Sequence, residues 1–289
     1  MALAFEPISL ERKQDYLARL MACPEVASDY SLANLWGWAE EYGLEWAFDD
    51  QLVWLRQTSP HELWWAPVGN WEKIDWQARI KSDPKPGTRI TRIPKALALV
   101  LGQVGATVAP ARDHWDYLYA VADLVGLAGN RFHKKKNLVA QFKRQYAFTY
   151  QRFGPPMVAQ ALAMQESWCT WRDCEANDTL AAENRAIARV LDHWDALGVL
   201  IGGAILVEDR MVAYTVAEAL TPGMLVIHFE KADPGVKGAY QAINQLFLAD
   251  QARGFERVNR EQDLGDEGLR KAKLSYHPVG FVEKFAVTV

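Results

Sequence analysis

The stretch from Gly202 to Glu261 constrains the fold more than any other part of the chain. "GGAILVEDRMVAYTVAEAL" reads as a β-hairpin with its turn at Asp209 and Arg210. "MLVIHFEKA" is a third strand. "DPGVKGAYQAINQLFLADQARG" is a glycine-containing loop feeding an amphipathic helix, with Ala239, Ala242, Ile243, Leu246 and Phe247 on its buried face. Gly254 ends that helix, and "FERVNRE" is a strand again. A helix over Thr179–Gly198 precedes the hairpin.

The succession of helix, hairpin, strand, glycine loop, helix and strand is the order of the N-acetyltransferase (GNAT) fold. The first half carries the same strand-loop-helix element. There, Leu32, Leu35, Trp36 and Ala39 fall at helical spacing before Gly43, and "QLVWLRQ" and "ELWWAPVG" read as strands joined around Ser59 and Pro60. The expectation is an α+β protein with a tandem duplicated GNAT fold, its mixed central sheets flanked by helices. The paired prolines of "RFGPPM" interrupt regular structure, so the expected domains are residues 1–155 and 156–289.

With 289 residues and half of them hydrophobic, the chain can bury a substantial core. Cys23, Cys169 and Cys174 are odd in number and form no CxxC pair, so neither a disulfide framework nor a metal site is expected, and a reducing cytoplasm fits. Glu6 and Glu11 interrupt the N-terminal segment before any apolar run of signal-peptide length. Ala96–Ala111 is too short for a transmembrane segment; it reads as core, with a weak membrane-surface contact as the alternative.

The net charge of −4 hides an asymmetry: Leu124 to Gln165 contains no acid. Its bases include Arg131, Lys134, Lys135, Lys136, Lys143 and Arg144, interleaved with Phe132, Tyr146, Phe148 and Tyr150. Solvated faces ordinarily mix both signs. This pattern points to a polyanion-binding surface, with tRNA the expected partner.

"DYLYAVADLVGLAGNRFHKKKNLVAQF", "IHFEKAD", "GAYQAINQLF" and "NREQDLGDEGLRKAKLSYHP" together resemble the soluble proteins grouped with the C-terminal domain of bacterial phosphatidylglycerol lysyltransferases, a group related to the Fem-type aminoacyltransferases. The resemblance implies a tandem GNAT fold and transfer of an amino acid from aminoacyl-tRNA, with no further cofactor, to a small-molecule, peptide or lipid-headgroup acceptor. Where the lipid-modifying enzymes carry Asp-x-x-Arg at the end of the central strand, this chain has His228-Phe229-Glu230-Lys231. No stretch here resembles their transmembrane region.

Strand alternation puts His228 and Glu230 on one face, with Ile227, Phe229 and Lys231 on the other. A base and a carboxylate would then face one cleft, with Asp263 approaching from the loop after the adjacent strand; the plainer reading makes His228 a hydrogen-bonded sheet residue and Glu230 the partner of a neighbouring strand. Lys231, Asn259, Arg260, Glu261, Tyr240 and Asn244 are the expected substrate-binding groups. Gly235 and Gly238 precede a helix and form a candidate phosphate loop, which would suit an acyl-CoA donor. A third reading is a non-catalytic module that binds an amino acid or a polyanion.

Overall fold

The computed structural model describes residues 3–81, 84–172 and 177–289. It contains fourteen strands among the described residues: β1 (Glu6–Pro7), β2 (Leu44–Phe48), β3 (Leu52–Gln57), β4 (Leu63–Gly69), β5 (Arg89–Pro94), β6 (Thr107–Pro110), β7 (Asp116–Ala120), β8 (Phe148–Arg152), β9 (Leu200–Val207), β10 (Arg210–Thr221), β11 (Met224–Ala232), β12 (Arg257–Asn259), β13 (Gly280–Val282) and β14 (Lys284–Thr288). They form two seven-stranded sheets, ordered β1-β2-β3-β4-β5-β14-β6 and β13-β7-β12-β11-β10-β9-β8.

The two sheets repeat one plan. In the first, β1 to β4 are antiparallel neighbours, β4 pairs in parallel with β5, and β14 runs antiparallel to β5. In the second, β8 to β11 are antiparallel, β11 pairs in parallel with β12, and β7 runs antiparallel to β12. The expected duplication is therefore present in a mixed α+β architecture.

The division of the chain differs from the expected cut at 155. One compact unit comprises 1–117, 262–270 and 281–289; the other comprises 118–261 and 271–280. The physical reason is strand exchange. β8, which the expected cut assigns to the first half, is the edge of the second sheet, and β14, the last strand of the chain, completes the first.

Local signals explain most elements. Gly43 adopts φ +53 at the end of Ala39–Tyr42, and a Cβ there would lie 2.2 Å from Thr58 Oγ1. The β9–β10 turn falls at Glu208 and Asp209, one residue earlier than expected, and both have positive φ. Gly238 opens the Ala239–Gln251 helix at φ +86, where a Cβ would meet Leu138 O at 2.5 Å. That approach lets Ala239, Ala242 and Ile243 pack with Phe142, Ile205 and Ala232 in the second unit's core.

Tyr146, Phe148 and Tyr150 pack against this same core, and Phe132 is fully buried. The expectation of stacking groups is thereby corrected for Phe132, while Tyr146, Phe148 and Tyr150 are only partly buried. Cys23 is free, and Cys169 is disulfide-bonded, contrary to expectation, since an odd count still leaves room for one bridge. Cys174 lies outside the described residues. No described helix is long and apolar enough to cross a membrane.

Candidate active site

Parallel pairing between β11 and β12 ends at Val226↔Asn259, while β11 continues to Ala232. The chain leaves β12 through Arg260 and Glu261, and Glu261 has φ +56, a conformation costly for a residue with a Cβ. Asn259 Oδ1 accepts the Glu261 N–H at 2.8 Å and supports this turn from a fully buried position. Asn259 thus shapes the cleft edge through this backbone bond. Beyond Val226 the strands part, and β11 presents His228, Glu230 and Lys231.

A β-bulge sets where these three point. Val216 pairs with Phe229 and Ala217 with Ile227, leaving His228 without a partner. Such an extra residue reverses the alternation that follows it. β10 pairs with β9 without a break from Tyr214 to Glu218, so Tyr214, Val216 and Glu218 share one face and Thr215 and Ala217 the other. Lys231 lies opposite Tyr214 and Glu230 opposite Thr215. His228 reaches Glu218, on the Lys231 side. The expectation that His228 and Glu230 share a face is corrected: the bulge separates them.

His228 is fully enclosed between two carboxylates, with Nδ1 2.9 Å from Glu261 Oε1 and Nε2 3.4 Å from Glu218 Oε1. Burial alone would lower its pKa, but the hydrogen bonds and charges of Glu218 and Glu261 outweigh it and push it up to about 9. At neutral pH the imidazole carries both protons and has no lone pair to accept another. It is a buried cation tying β10, β11 and the turn after β12 together.

A raised folded-state pKa stabilises the fold fully below the ordinary value of about 6.5, and the contribution is lost as pH rises through about 9. The shift corresponds to on the order of 3 kcal/mol. Unfolding midpoints between pH 6 and 10 should therefore decline more steeply for the native protein than for His228→Gln. Parallel curves for the two proteins would refute this assignment.

On the other face, Glu230 Oε1 accepts from Arg260 Nη2 and Oε2 from Asn244 Nδ2, each at 2.8 Å. The Arg260 guanidinium lies 4.7 Å from the Tyr276 ring centre and 5.7 Å from that of Tyr119, and its Nη1 is buried without a hydrogen-bond partner among the described residues. Lys135 stands 4.2 Å from the Tyr276 ring centre, so one base of the basic helix borders this cluster. A carboxylate with two donors in place keeps lone pairs for a further proton.

Lys231 pairs with Glu183 at 2.8 Å and stands 4.0 Å from the Trp168 ring centre. Tyr240 joins that group, its hydroxyl accepting the Trp168 indole N–H at 2.9 Å. Asp263 belongs to the first unit. Its carboxylate accepts from Arg270, Tyr117 and the Gly265 N–H, which, against the effect of burial, hold its pKa well below the usual range. These bonds fix the loop before the Glu267–Leu274 helix, and none of its partners is His228 or Glu230.

The candidate phosphate loop satisfies much of itself. Asp233 Oδ1 accepts the Gly235 N–H at 2.8 Å, and Val236 and Ala239 donate to backbone carbonyls. In the basic segment, Arg131 pairs with Asp123 and Lys143 bonds Gln245, while Lys134, Lys136 and Arg144 are exposed. Sequence reading missed Glu218, Glu183 and Tyr276; a lone Glu within the apolar "VAYTVAEAL" was the available signal for the first.

Two units, each with a parallel strand pair set among antiparallel neighbours, define a tandem GNAT-like fold. The chain belongs to the phosphatidylglycerol lysyltransferase C-terminal family, whose model matches residues 21–288. It is similar to a conserved protein of unknown function from Bacteroides thetaiotaomicron, with 28% identity, a TM-score of 0.91 and full coverage of both chains. L-PGS from Bacillus licheniformis has a TM-score of 0.59 at 12% identity over 89% of this chain and 91% of that one. FemX has a TM-score of 0.60 at 8% identity over 98% and 97%. An uncharacterized protein of Mycoplasmoides gallisepticum is 23% identical over 175 residues, 60% of this chain and 56% of that relative, little more than half its length.

Proposed function

We propose that this protein transfers an aminoacyl group from a charged tRNA to an amine or hydroxyl acceptor at the β11/β12 splay. The observation that carries the reading is the partly buried Glu230, gripped by Arg260 and Asn244 where the parallel strands part, in a chain of the phosphatidylglycerol lysyltransferase family. The donor ester is already activated, so the protein must orient the acceptor, accept its proton and stabilise an oxyanion. The acceptor nucleophile attacks the ester carbonyl, its proton passes to Glu230, and the ribose oxygen of the tRNA leaves and is reprotonated. Arg260 Nη1 supplies the cationic donor for the developing oxyanion. Such a reaction belongs in the cytoplasm, where charged tRNA is available.

The His133–Gln145 helix supports a tRNA partner. Its first turn carries Lys134, Lys135 and Lys136 and no acid, opposite to what the helix dipole favours. A phosphate there would offset that repulsion. The acyl-CoA alternative is less well supported, because the Asp233 carboxylate occupies the Gly235 N–H that a pyrophosphate would need.

Incubation with a pool of charged tRNAs should give deacylation that depends on an added cell extract as the source of acceptor. Binding should weaken with salt at roughly −0.7 per phosphate contact on a log–log plot, and Lys134→Ala with Lys136→Ala should flatten the slope. tRNA binding without deacylation would favour the binding module; salt-independent binding would remove the basic helix from the interface.

A further inference from the structure

The second unit holds a cavity of about 720 Å³ that is lined by none of the splay's ionic groups. Met164, Trp168 and Trp171 of the Val158–Arg172 helix form one wall, and Met211 of β10 lies across from them. The β9–β10 turn places Glu208 and Asp209 at the rim. The base beside them, Arg210, is paired with Asp233 at 2.8 Å, so Glu208 and Asp209 give this apolar space a negative mouth. The volume falls within the range of small-molecule sites.

Two further observations define the ligand. Trp168 is held rigidly by Tyr240 and already carries an ammonium, that of Lys231, 4.0 Å from its ring centre, with Glu183 as the countercharge. Trp171 also lines the cavity and is 60% exposed. Indole faces and rim carboxylates both favour cations, and the methionine wall favours an apolar body.

We propose that this cavity binds an organic cation, an amine on an aryl or alkyl body, with the body against Met164, Trp168, Trp171 and Met211 and the ammonium at Glu208 and Asp209. The proposal does not rest on the transfer reading, since the two sites share no side chain.

The test uses the full chain and three probes of one shape, 4-phenylbutylamine, 4-phenylbutanol and 4-phenylbutyrate, titrated by calorimetry and indole fluorescence. The amine should bind roughly tenfold or more tightly than the alcohol, with the acid weakest. Glu208→Gln with Asp209→Asn, on an exposed turn, should bring amine and alcohol within about threefold of each other, whereas Trp171→Ala should weaken both together. Absence of saturable binding by all three probes overturns the proposal. So does equal binding of amine and alcohol, or an undiminished preference in the double variant.

Discussion

Lys284→Met is expected to destabilise the first unit by about 3–5 kcal/mol. The Lys284 side chain is wholly inaccessible; its ammonium bonds Asp29, Asp116 Oδ1 at 2.6 Å and Gln262 at 3.4 Å. Burial alone would lower its pKa, but the two carboxylates outweigh burial and raise it. Asp116 is also fully buried and otherwise accepts from Ser28, while Asp29 retains Arg92 at 2.9 Å. Removing the ammonium takes away the cation that two buried carboxylates share. Lys284→Met with Asp116→Asn should recover much of the loss, because removing both charges avoids the uncompensated one. Nine of the twelve tryptophans precede residue 116, so indole fluorescence in a urea titration reports chiefly on this unit. A loss under about 1 kcal/mol in the single variant would show that water or a neighbouring cation replaces Lys284.

Nothing local in the sequence announces that network. Lys284 lies 255 residues from Asp29 and 168 from Asp116, and the exchange of β7 and β14 brings them together. The elements themselves were legible because their signals are short-range: alternation in β9 to β11, the glycine before Ala239, and Gly43 ending a helix. The site was half legible. A His and a Glu in an apolar strand mark a position where ionisable groups are not expected by burial. Their orientation was not legible, because one bulged residue reverses every side chain beyond it. Phe132 of the basic segment failed for a related reason, since sequence gives its spacing and only packing gives its direction.

The internal repeat deepens this point. In the first unit, parallel pairing of β4 and β5 ends at Trp65↔Thr91, and the next residue, Arg92, has φ +56. Glu261 has the same φ shortly after the last parallel pair of the second unit. Each left-handed residue carries a buried ionic contact, Arg92 with Asp29 and Glu261 with His228. Arg92 also lies 3.8 Å from the Trp65 ring centre, which leaves its guanidinium covered. The Arg92 guanidinium is thus covered by its own partners, whereas Arg260 Nη1 in the second unit has no hydrogen-bond partner among the described residues. That difference directs the functional test to the second unit.

Glu230→Gln is expected to slow the proposed transfer by roughly 10²-fold or more, because the amide cannot take the acceptor's proton. The same change should also lower stability, since Arg260 loses the carboxylate it holds at 2.8 Å within a largely buried pair. The two effects are separable. Single-turnover deacylation is scaled to the folded fraction measured on the same preparation, and the loss should persist after scaling. Glu230→Gln combined with Arg260→Met removes the unpaired guanidinium, so stability should recover toward the native value while transfer stays low. A proton acceptor and a fold-supporting ion pair predict different outcomes in Glu230→Gln alone, because only the second gives native turnover per folded molecule. Native turnover per folded molecule in Glu230→Gln would remove this carboxylate from the chemistry and leave it as the anchor that holds Arg260 and Asn244 at the mouth of the splay.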